Sequence, residues 1–485
     1  MQHHCDIGLI GLAVMGQNLV LNMSDHGYKV AVYNRTTSKV DDFLANAAQG
    51  HTNIFPAYSI KELIDCLASP RKVMLMVKAG EVVDKFIGQL LPYLEAGDVI
   101  IDGGNSLFTD TNRRVEELGK RGILFVGTGV SGGEEGARKG PSIMPGGNAK
   151  AWPLVKEILQ AIAAKVDDGS PCCDWVGDAG SGHYVKMVHN GIEYGDMQMI
   201  SESYDLLYSG LDLSHDELYK IYDQWNQGEL DSYLIEITRD IMGFKDENQE
   251  VLLTKILDKA GQKGTGKWTG INSLELGIPV TLIAEAVYAR SLSALKEERI
   301  AASKILKGPS KQITEPKEVV IEELRQGLYA AKIVSYAQGY MLMREAAKTY
   351  AWHLNYGGIA QMWRGGCIIR SAFLGKIKEA YTKNPNLYNL LLDPFFATAI
   401  EKSLTGWRNT VSRAALKGIP MPAISAALAF YDGYRSAVLP ANLIQAQRDY
   451  FGAHTYERID RAPGEFFHTN WSGEGGEVSS TTYEL

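Results

Sequence analysis

The apolar run DIGLI, Asp6 to Ile10, passes directly into GLAVMG, Gly11 to Gly16, and then into the helical pattern QNLVLNMSDHG. Strand, glycine turn and helix in that order leave few folds open to the chain. The glycines let the backbone turn tightly and let a helix N-terminus face a pyrophosphate, with Ala13 in the place of the second glycine. A second strand, YKVAVYNRT, ends at Asn34, Arg35 and Thr36, where an NAD enzyme carries Asp or Glu for the ribose hydroxyls. A carboxylate there would repel a 2′-phosphate, whereas Arg35 can bind one through planar, charge-assisted hydrogen bonds. The expected cofactor is therefore NADP. A solvated loop arginine is the bland alternative for Arg35.

The alternation continues through KVMLMV (Lys72 to Val77), DVIIDGGN (Asp98 to Asn105) and ILFVGTGVSGG (Ile123 to Gly133), with helical stretches between them. Strands alternating with helices imply a doubly wound parallel sheet, a Rossmann fold, over residues 1–178. Its strands end in Lys78, in Asp102 to Asn105 and in Ser131 to Gly133, and ligands of such sheets bind at the strand carboxyl ends. The stretch Gly127 to Gly147 carries eight glycines and two prolines in 21 residues. It reads as a glycine loop whose amides and Ser131 hydroxyl could receive a carboxylate, or as a plain surface loop.

Beyond Trp152 and Pro153 the pattern changes, and residues 179–440 read as a mainly α domain. Its first helix, SGHYVKMVHNGIEYGDM (Ser181 to Met197), places Lys186, His189, Asn190 and Glu193 at i, i+3, i+4 and i+7 on one face. Lys186 and Glu193 lie roughly 10 Å apart along the helix, beyond ordinary ion-pair spacing. A small molecule lying along the face could meet an acid/base pair at its ends and positioning groups between them. A solvated polar face would show the same spacing. A degraded repeat at an offset of 146 residues argues against it: HYVKMVHNGIEYGDMQM aligns with YAAKIVSYAQGYMLMRE, matching Lys186 with Lys332, Val188 with Val334, Tyr194 with Tyr340 and Met197 with Met343. His189, Asn190 and Glu193 face Ser335, Tyr336 and Gly339, so the second copy lacks the polar constellation, which packing alone would have kept. WNQG at Trp225 is likewise matched by WRGG at Trp363.

GQKGTGKW, Gly261 to Trp268, imitates a nucleotide-triphosphate loop, but Trp268 stands where Ser or Thr would hold magnesium. It also follows VLLTKILDKA, which reads as helix rather than strand. Lys263 or Lys267 remains available to a phosphate of another ligand. The end of the chain, residues 441–485, starts as a helix and has no core pattern of its own; Arg448 and His454 there are candidate anion contacts.

The chain has 485 residues, 45% of them hydrophobic and 22% charged, with a net charge of −8 and no basic block, which speaks against a nucleic-acid partner. Its five cysteines form no disulfide framework or zinc pattern, and Cys172 and Cys173 read as core or loop thiols rather than a redox switch. No run approaches the roughly 18 apolar residues of a membrane span, and the N-terminus enters a strand without a leader. A cytoplasmic location without a membrane partner is expected.

Taken together, GLAVMG, NRT, DGGN, SGGEEGAR, KMVHNGIEYGDMQ, GQKGTGKW and QRDYFGAHT make the chain resemble the decarboxylating 6-phosphogluconate dehydrogenases, most closely those of eukaryotes, over nearly its whole length. The resemblance implies oxidation of 6-phosphogluconate by NADP to ribulose 5-phosphate and CO₂ in the pentose phosphate pathway, without a metal. It places the cofactor on Gly11, Leu12, Ala13, Val14, Met15, Gly16, Asn34, Arg35, Thr36, Val77, Lys78, Ala79 and Asn105. Lys186 matches the family's general base and Glu193 its general acid. Asn105, Ser131, Gly132, Gly133, His189 and Asn190 match contacts to the sugar acid, and Tyr194, Lys263 and Arg290 match contacts to its phosphate. Arg448 and His454 match phosphate contacts brought by the partner's tail, which implies a homodimer with tail exchange. The alternatives are a non-decarboxylating β-hydroxyacid dehydrogenase, which would need neither Glu193 nor the phosphate-binding cations, and a module that senses NADP without turnover.

Overall fold

The computed structural model describes residues 4–473. Two compact units are present, Met1–Ala427 and Leu428–Leu485. The first unit opens with strands β1 (Ile7–Ile10), β2 (Val30–Tyr33), β3 (Ile54–Pro56), β4 (Lys72–Leu75), β5 (Val99–Asp102), β6 (Leu124–Ser131), β7 (Ser142–Gly147) and β8 (Gly177–Asp178). They form one sheet in the order β3-β2-β1-β4-β5-β6-β7-β8. Between them run α1 (Val14–Asp25), α2 (Ser38–Ala45), α3 (Ile60–Asp65), α4 (Glu81–Leu90), α5 (Phe108–Gly119), α6 (Gly133–Lys139) and α7 (Trp152–Ile162).

Strands buried on both faces need apolar residues of both parities, and these have them. Ile7, Leu9, Val99 and Ile101 pack with α1 and α7 on one face, while Ile10, Ile100 and Phe125 pack with α3, α4 and α5 on the other. The doubly wound sheet is therefore present, with one departure: β7 runs antiparallel to β6, with Gly129 opposite Met144 and Ser131 opposite Ser142.

That pairing corrects the expectation of a glycine loop from Gly127 to Gly147, since the stretch is two buried strands joined by α6. Its glycines serve close packing. A Cβ on Gly129 would come within 2.4 Å of the Lys186 Cβ, and one on Gly146 within 2.5 Å of the Gly182 nitrogen. The first helix of the α domain lies directly against these strands because no side chain separates them.

That helix, α8 (Ser181–Asp205), is followed by α9 (His215–Asn226), α10 (Tyr233–Gly243), α11 (Thr265–Glu275), α12 (Thr281–Ala294), α13 (Lys296–Ser303), α14 (Lys317–Thr349), α15 (Tyr356–Met362), α16 (Leu374–Lys383), α17 (Pro394–Lys417) and α18 (Pro422–Tyr434). The segment VLLTKILDKA corrects a second expectation: only Leu252–Lys255 forms a short 3₁₀ turn, and the chain is irregular from there to Gly264. The 3₁₀ turn buries none of its residues, so no apolar face holds a longer helix together.

Helices α8 and α14, which carry the two copies of the repeat, pack against each other. Gly195 leaves room for Ser335, and Gly339 leaves room for Ile192, whose Cδ1 would lie 2.7 Å from an added Cβ. Lys332, the counterpart of Lys186, forms a buried ion pair with Asp196 across this contact. The lysine of the second copy thus serves structure. Cys172 and Cys173 are fully buried, and burial pushes the Cys172 thiol up to about 11, so neither is a ready nucleophile.

The second unit contains α19 (Ala441–Gly452) and a short antiparallel pair, β9 (Tyr456–Glu457) with β10 (Phe466–Phe467). Asp449 is fully buried within it and accepts hydrogen bonds from the Thr469 amide and the Trp471 indole, at 2.9 and 2.8 Å. The tail therefore has a small organising centre of its own, which the sequence pattern did not reveal. Among the described residues no helix is long and apolar enough to cross a membrane.

Candidate active site

The strand order reverses direction between β1 and β4, and the four strands around that point end together. Gly11 leaves β1 at φ +107°, and a Cβ there would sit 2.4 Å from the Met76 carbonyl oxygen at the exit of β4. Gly16 is equally constrained, since an added Cβ would meet the Gly11 oxygen at 1.9 Å. The turn is held from the side by Asn34, whose Oδ1 accepts from the Leu12 amide at 3.1 Å and whose Nδ2 donates to the Thr36 carbonyl at 3.0 Å. Ala13 caps α1 without offering a side-chain acceptor, so the first amides of that helix are left to a ligand.

Val14, Arg35, Thr36, Lys78 and Asn105 are exposed around this crevice, with Met15, Val77 and Ala79 half-buried between them. The chemistry of this set fits a dinucleotide with a 2′-phosphate: free amides for the pyrophosphate and a guanidinium beyond the end of β2. Asn105 stands on a loop braced from below. Asp102 accepts from the Gly104 amide at 3.1 Å and from the Ser106 hydroxyl at 2.6 Å, and the buried Arg114 reaches it at 3.4 Å.

Helix α8 supplies the second wall. Its polar row is not solvated: His189 is 0%, Lys186 6% and Asn190 8% exposed. The Lys186 ammonium donates to Asn190 Oδ1 at 2.7 Å and lies 3.3 Å from His189 Nδ1. Asn190 Nδ2 donates to Thr265 Oγ1 at 2.9 Å, which fixes the amide with its oxygen towards the lysine. Ser131 Oγ reaches His189 Nε2 at 3.3 Å, and His189 Nδ1 lies 3.1 Å from Asn190 Oδ1. A neutral imidazole protonated on Nδ1 satisfies the Asn190 and Ser131 contacts, donating to the first and accepting from the second, and can donate to Lys186 only once that amine is neutral. Trp363 closes the other side, its ring meeting His189 edge-on at 5.7 Å.

The electrostatics follow from this burial. Desolvation holds Lys186 below the usual lysine range, against the opposite pull of Glu193 and Cys367. His189 is pushed well below its ordinary value by burial and by the lysine charge, which keeps it neutral. Glu193 lies 3.8 Å from His189, and burial raises its carboxyl above the ordinary range despite Lys186 and Arg290. The row thus holds a base that favours losing its proton and an acid that favours keeping one, with neutral groups between.

One residue further along, Tyr194 stacks under the guanidinium of Arg290 at 3.5 Å, in space left by Gly266. Arg290 also donates to the Gly261 carbonyl at 3.2 Å, tying α12 to the loop that carries the exposed Lys263. Gly132 and Gly133 form the turn from β6 into α6, where a Cβ on Gly132 would meet the Gly366 oxygen at 2.6 Å. Arg448 and His454 belong to the second unit, on α19 and just after it; Arg448 donates there to Gln445 at 2.9 Å. Sequence reasoning missed Thr265 and Trp363 as site residues. Thr265 lay within GQKGTGKW, weighed only as a phosphate loop, and Trp363 within WRGG, weighed only as a repeat.

With this geometry in view, family models decide the ancestry. The model described as the NAD binding domain of 6-phosphogluconate dehydrogenase matches residues 6–177, and that of the 6-phosphogluconate dehydrogenase C-terminal domain matches residues 182–471. The chain belongs to the 6-phosphogluconate dehydrogenase family. Among the relatives is a decarboxylating 6-phosphogluconate dehydrogenase of Cunninghamella elegans, 67% identical over 480 residues and covering 99% of each chain. The human enzyme of that name is 62% identical over 479 residues, again with 99% of each covered. A solved structure of Plasmodium falciparum 6-phosphogluconate dehydrogenase, described in its apo form and in complex with its cofactor NADP+ and with its substrate 6-phosphogluconate, superposes with a TM-score of 0.91. It is 46% identical and covers 96% of this chain and 100% of its own. Family membership thus agrees with what the fingerprint suggested on its own.

Proposed function

We propose that the chain oxidises 6-phosphogluconate with NADP and releases ribulose 5-phosphate and CO₂, with Lys186 as base and Glu193 as acid and no metal. The observation that carries the reading is the buried row on α8, where desolvation shifts the amine and the carboxyl in the directions the reaction needs. NADP would be held by Gly11 to Gly16, by Arg35 and Thr36 through its 2′-phosphate, and by Val77, Lys78, Ala79 and Asn105. When bound, it supplies the hydride acceptor.

Lys186, as the neutral amine, takes the proton of the 3-hydroxyl while carbon 3 is oxidised to the ketone. Protonated by this step, it stabilises the keto oxygen while the bond between carbons 1 and 2 breaks and CO₂ leaves, which gives the enediol. Glu193 then protonates the former carbon 2, which becomes carbon 1 of ribulose 5-phosphate, and the enediol proton returns to Lys186. Ser131, His189 and Asn190 orient the sugar acid with the amides of Gly132 and Gly133. Tyr194, Lys263 and Arg290 face its phosphate, joined by Arg448 and His454 from a partner subunit. The reading includes a homodimer with tail exchange in the cytoplasm, a compartment compatible with five unpaired cysteines.

The test is NADPH formation from 6-phosphogluconate with evolved CO₂ recorded alongside, in metal-free buffer. Equal amounts of both are expected, and NADPH without CO₂ would instead indicate a plain hydroxyacid dehydrogenase. A second expectation concerns the cofactor. Arg35→Glu removes an attraction and adds a repulsion, and should weaken NADP binding by about a hundredfold while changing NAD binding little. Unaltered discrimination between the two cofactors, read by titration, would remove Arg35 from the 2′-phosphate site.

A further inference from the structure

His183 stands in the first turn of α8, three residues before Lys186, so the two side chains leave the same side of the helix about one turn apart. No step of the reaction above uses it. It is nonetheless 2% exposed, and its Nδ1 lies 2.7 Å from the hydroxyl of Thr111, which is fully buried on α5. Gly127 makes room for this pair. It stands opposite Asp102 at the end of β5, and an added Cβ would lie 2.5 Å from Thr111 Cγ2 and 2.8 Å from His183 Nδ1. The imidazole therefore sits where β5 gives way to the loop that carries Asn105.

The Nε2 of His183 is buried as well and makes no full hydrogen bond. Burial holds the ring below its ordinary value and keeps it neutral, with Arg114 adding to the fall, while the Asp102 carboxylate and the backbones of Asp102 and Gly104 pull the other way. A proton on Nε2 suits those backbone acceptors and leaves Nδ1 to accept from the Thr111 hydroxyl. An apolar side chain could fill this volume without desolvating two ring nitrogens, so packing does not account for a histidine here. What the ring does is tie α8 to α5. Beside it, Asn112 accepts from the Gly180 amide at 2.7 Å just before α8 begins, and Tyr184 meets Phe108 edge-on at 4.9 Å. The loop has its footing on the same helix, since Thr111 is six residues beyond Asn105 and Arg114 braces Asp102.

We propose that His183 is a positioning residue for hydride transfer: by bonding the first turn of α8 to Thr111 at the root of the Asp102 to Asn105 loop, it fixes Asn105 relative to Lys186 and so aligns carbon 3 of the substrate with the cofactor. This rests on the reading above that Asn105 contacts both the sugar acid and NADP. The catalytic helix then carries its base and the registration of the cofactor wall within two turns of each other.

The test compares NADPH formation by full-length wild type, His183→Leu, His183→Asn and Asn105→Ala, using 6-phosphogluconate with hydrogen or deuterium on carbon 3. Leucine keeps most of the volume and loses the bond to Thr111. Its kcat should fall about tenfold, and the deuterium isotope effect on kcat should rise, because misaligned hydride transfer becomes the slow step. Asparagine places an amide where Nδ1 stood and should bring kcat back to within about threefold of wild type. A general structural role would reduce the fraction of active enzyme and leave the isotope effect unchanged, which overturns the proposal, as does an asparagine variant no better than leucine. If Asn105→Ala loses activity while His183→Leu matches wild type, the proposal fails and the Asn105 reading stands. If Asn105→Ala leaves kcat and KM unchanged, both fail. Should His183→Leu not fold, Thr111→Val breaks the same bond from the other side at nearly constant volume. Its kcat should then fall about threefold with a raised isotope effect, and an unchanged isotope effect overturns the proposal.

Discussion

Lys186→Met is expected to lower kcat by at least about a thousandfold while NADP affinity stays within about twofold of wild type, as measured by steady-state NADPH formation and by cofactor titration. Methionine retains an unbranched stem in the narrow space between α8 and β6, where Gly129 leaves no room for further atoms. The scaffold should also persist, because Asn190 keeps its bonds to Thr265 and to His189. What disappears is the proton acceptor. Lys186→Arg separates this role from simple positive charge, since arginine supplies a cation that does not deprotonate at working pH. Both variants should therefore be equally inactive. An arginine variant retaining more than about a tenth of wild-type turnover would make Lys186 an electrostatic group rather than a base. In the wild type, kcat/KM should rise with pH, because the amine must be neutral and burial sets its value below the ordinary lysine range.

Much of this site was readable from spacing alone, for definite physical reasons. Helical period fixes which residues share a face, so Lys186, His189, Asn190 and Glu193 could be grouped without coordinates. Strand carboxyl ends converge at the point of reversed strand order, so Arg35, Lys78 and Asn105 could be assigned to one crevice. The glycine-rich stretch after β6 misled for an equally physical reason. Glycine weakens strands in general, yet here Gly129 and Gly146 are strand residues because α8 presses against them. No local signal distinguishes a glycine that frees the backbone from one that admits a neighbouring helix. Thr265 and Trp363 escaped for a related reason, since each reaches α8 from an element distant in sequence, and only tertiary contact reveals such partners. Asp196 was equally invisible, as a carboxylate on a helix ordinarily reads as its solvated side.

Glu193→Gln should also lower kcat, by about a hundredfold to ten-thousandfold, but at a different step from Lys186→Met. Oxidation and loss of CO₂ rest on the lysine, so a first turnover should still yield NADPH and CO₂ before the enediol stalls for want of a proton donor. Rapid mixing would show this as a burst followed by a slow phase. In deuterated water the wild type should place one deuteron on carbon 1 with a single handedness, whereas a stalled enediol protonated by solvent should give both hands, which NMR distinguishes. The pH profile supplies an independent check. Glu193 must carry its proton, so its loss as pH rises through the carboxyl's raised value produces the descending limb, and glutamine should remove that limb. The ascending limb should stay in place. Glu193 carries its proton over that range, so glutamine replaces one uncharged group with another and leaves the field on Lys186 unchanged. A descending limb that persists unchanged in Glu193→Gln would remove Glu193 from the acid role and end the account of α8 as a paired acid and base.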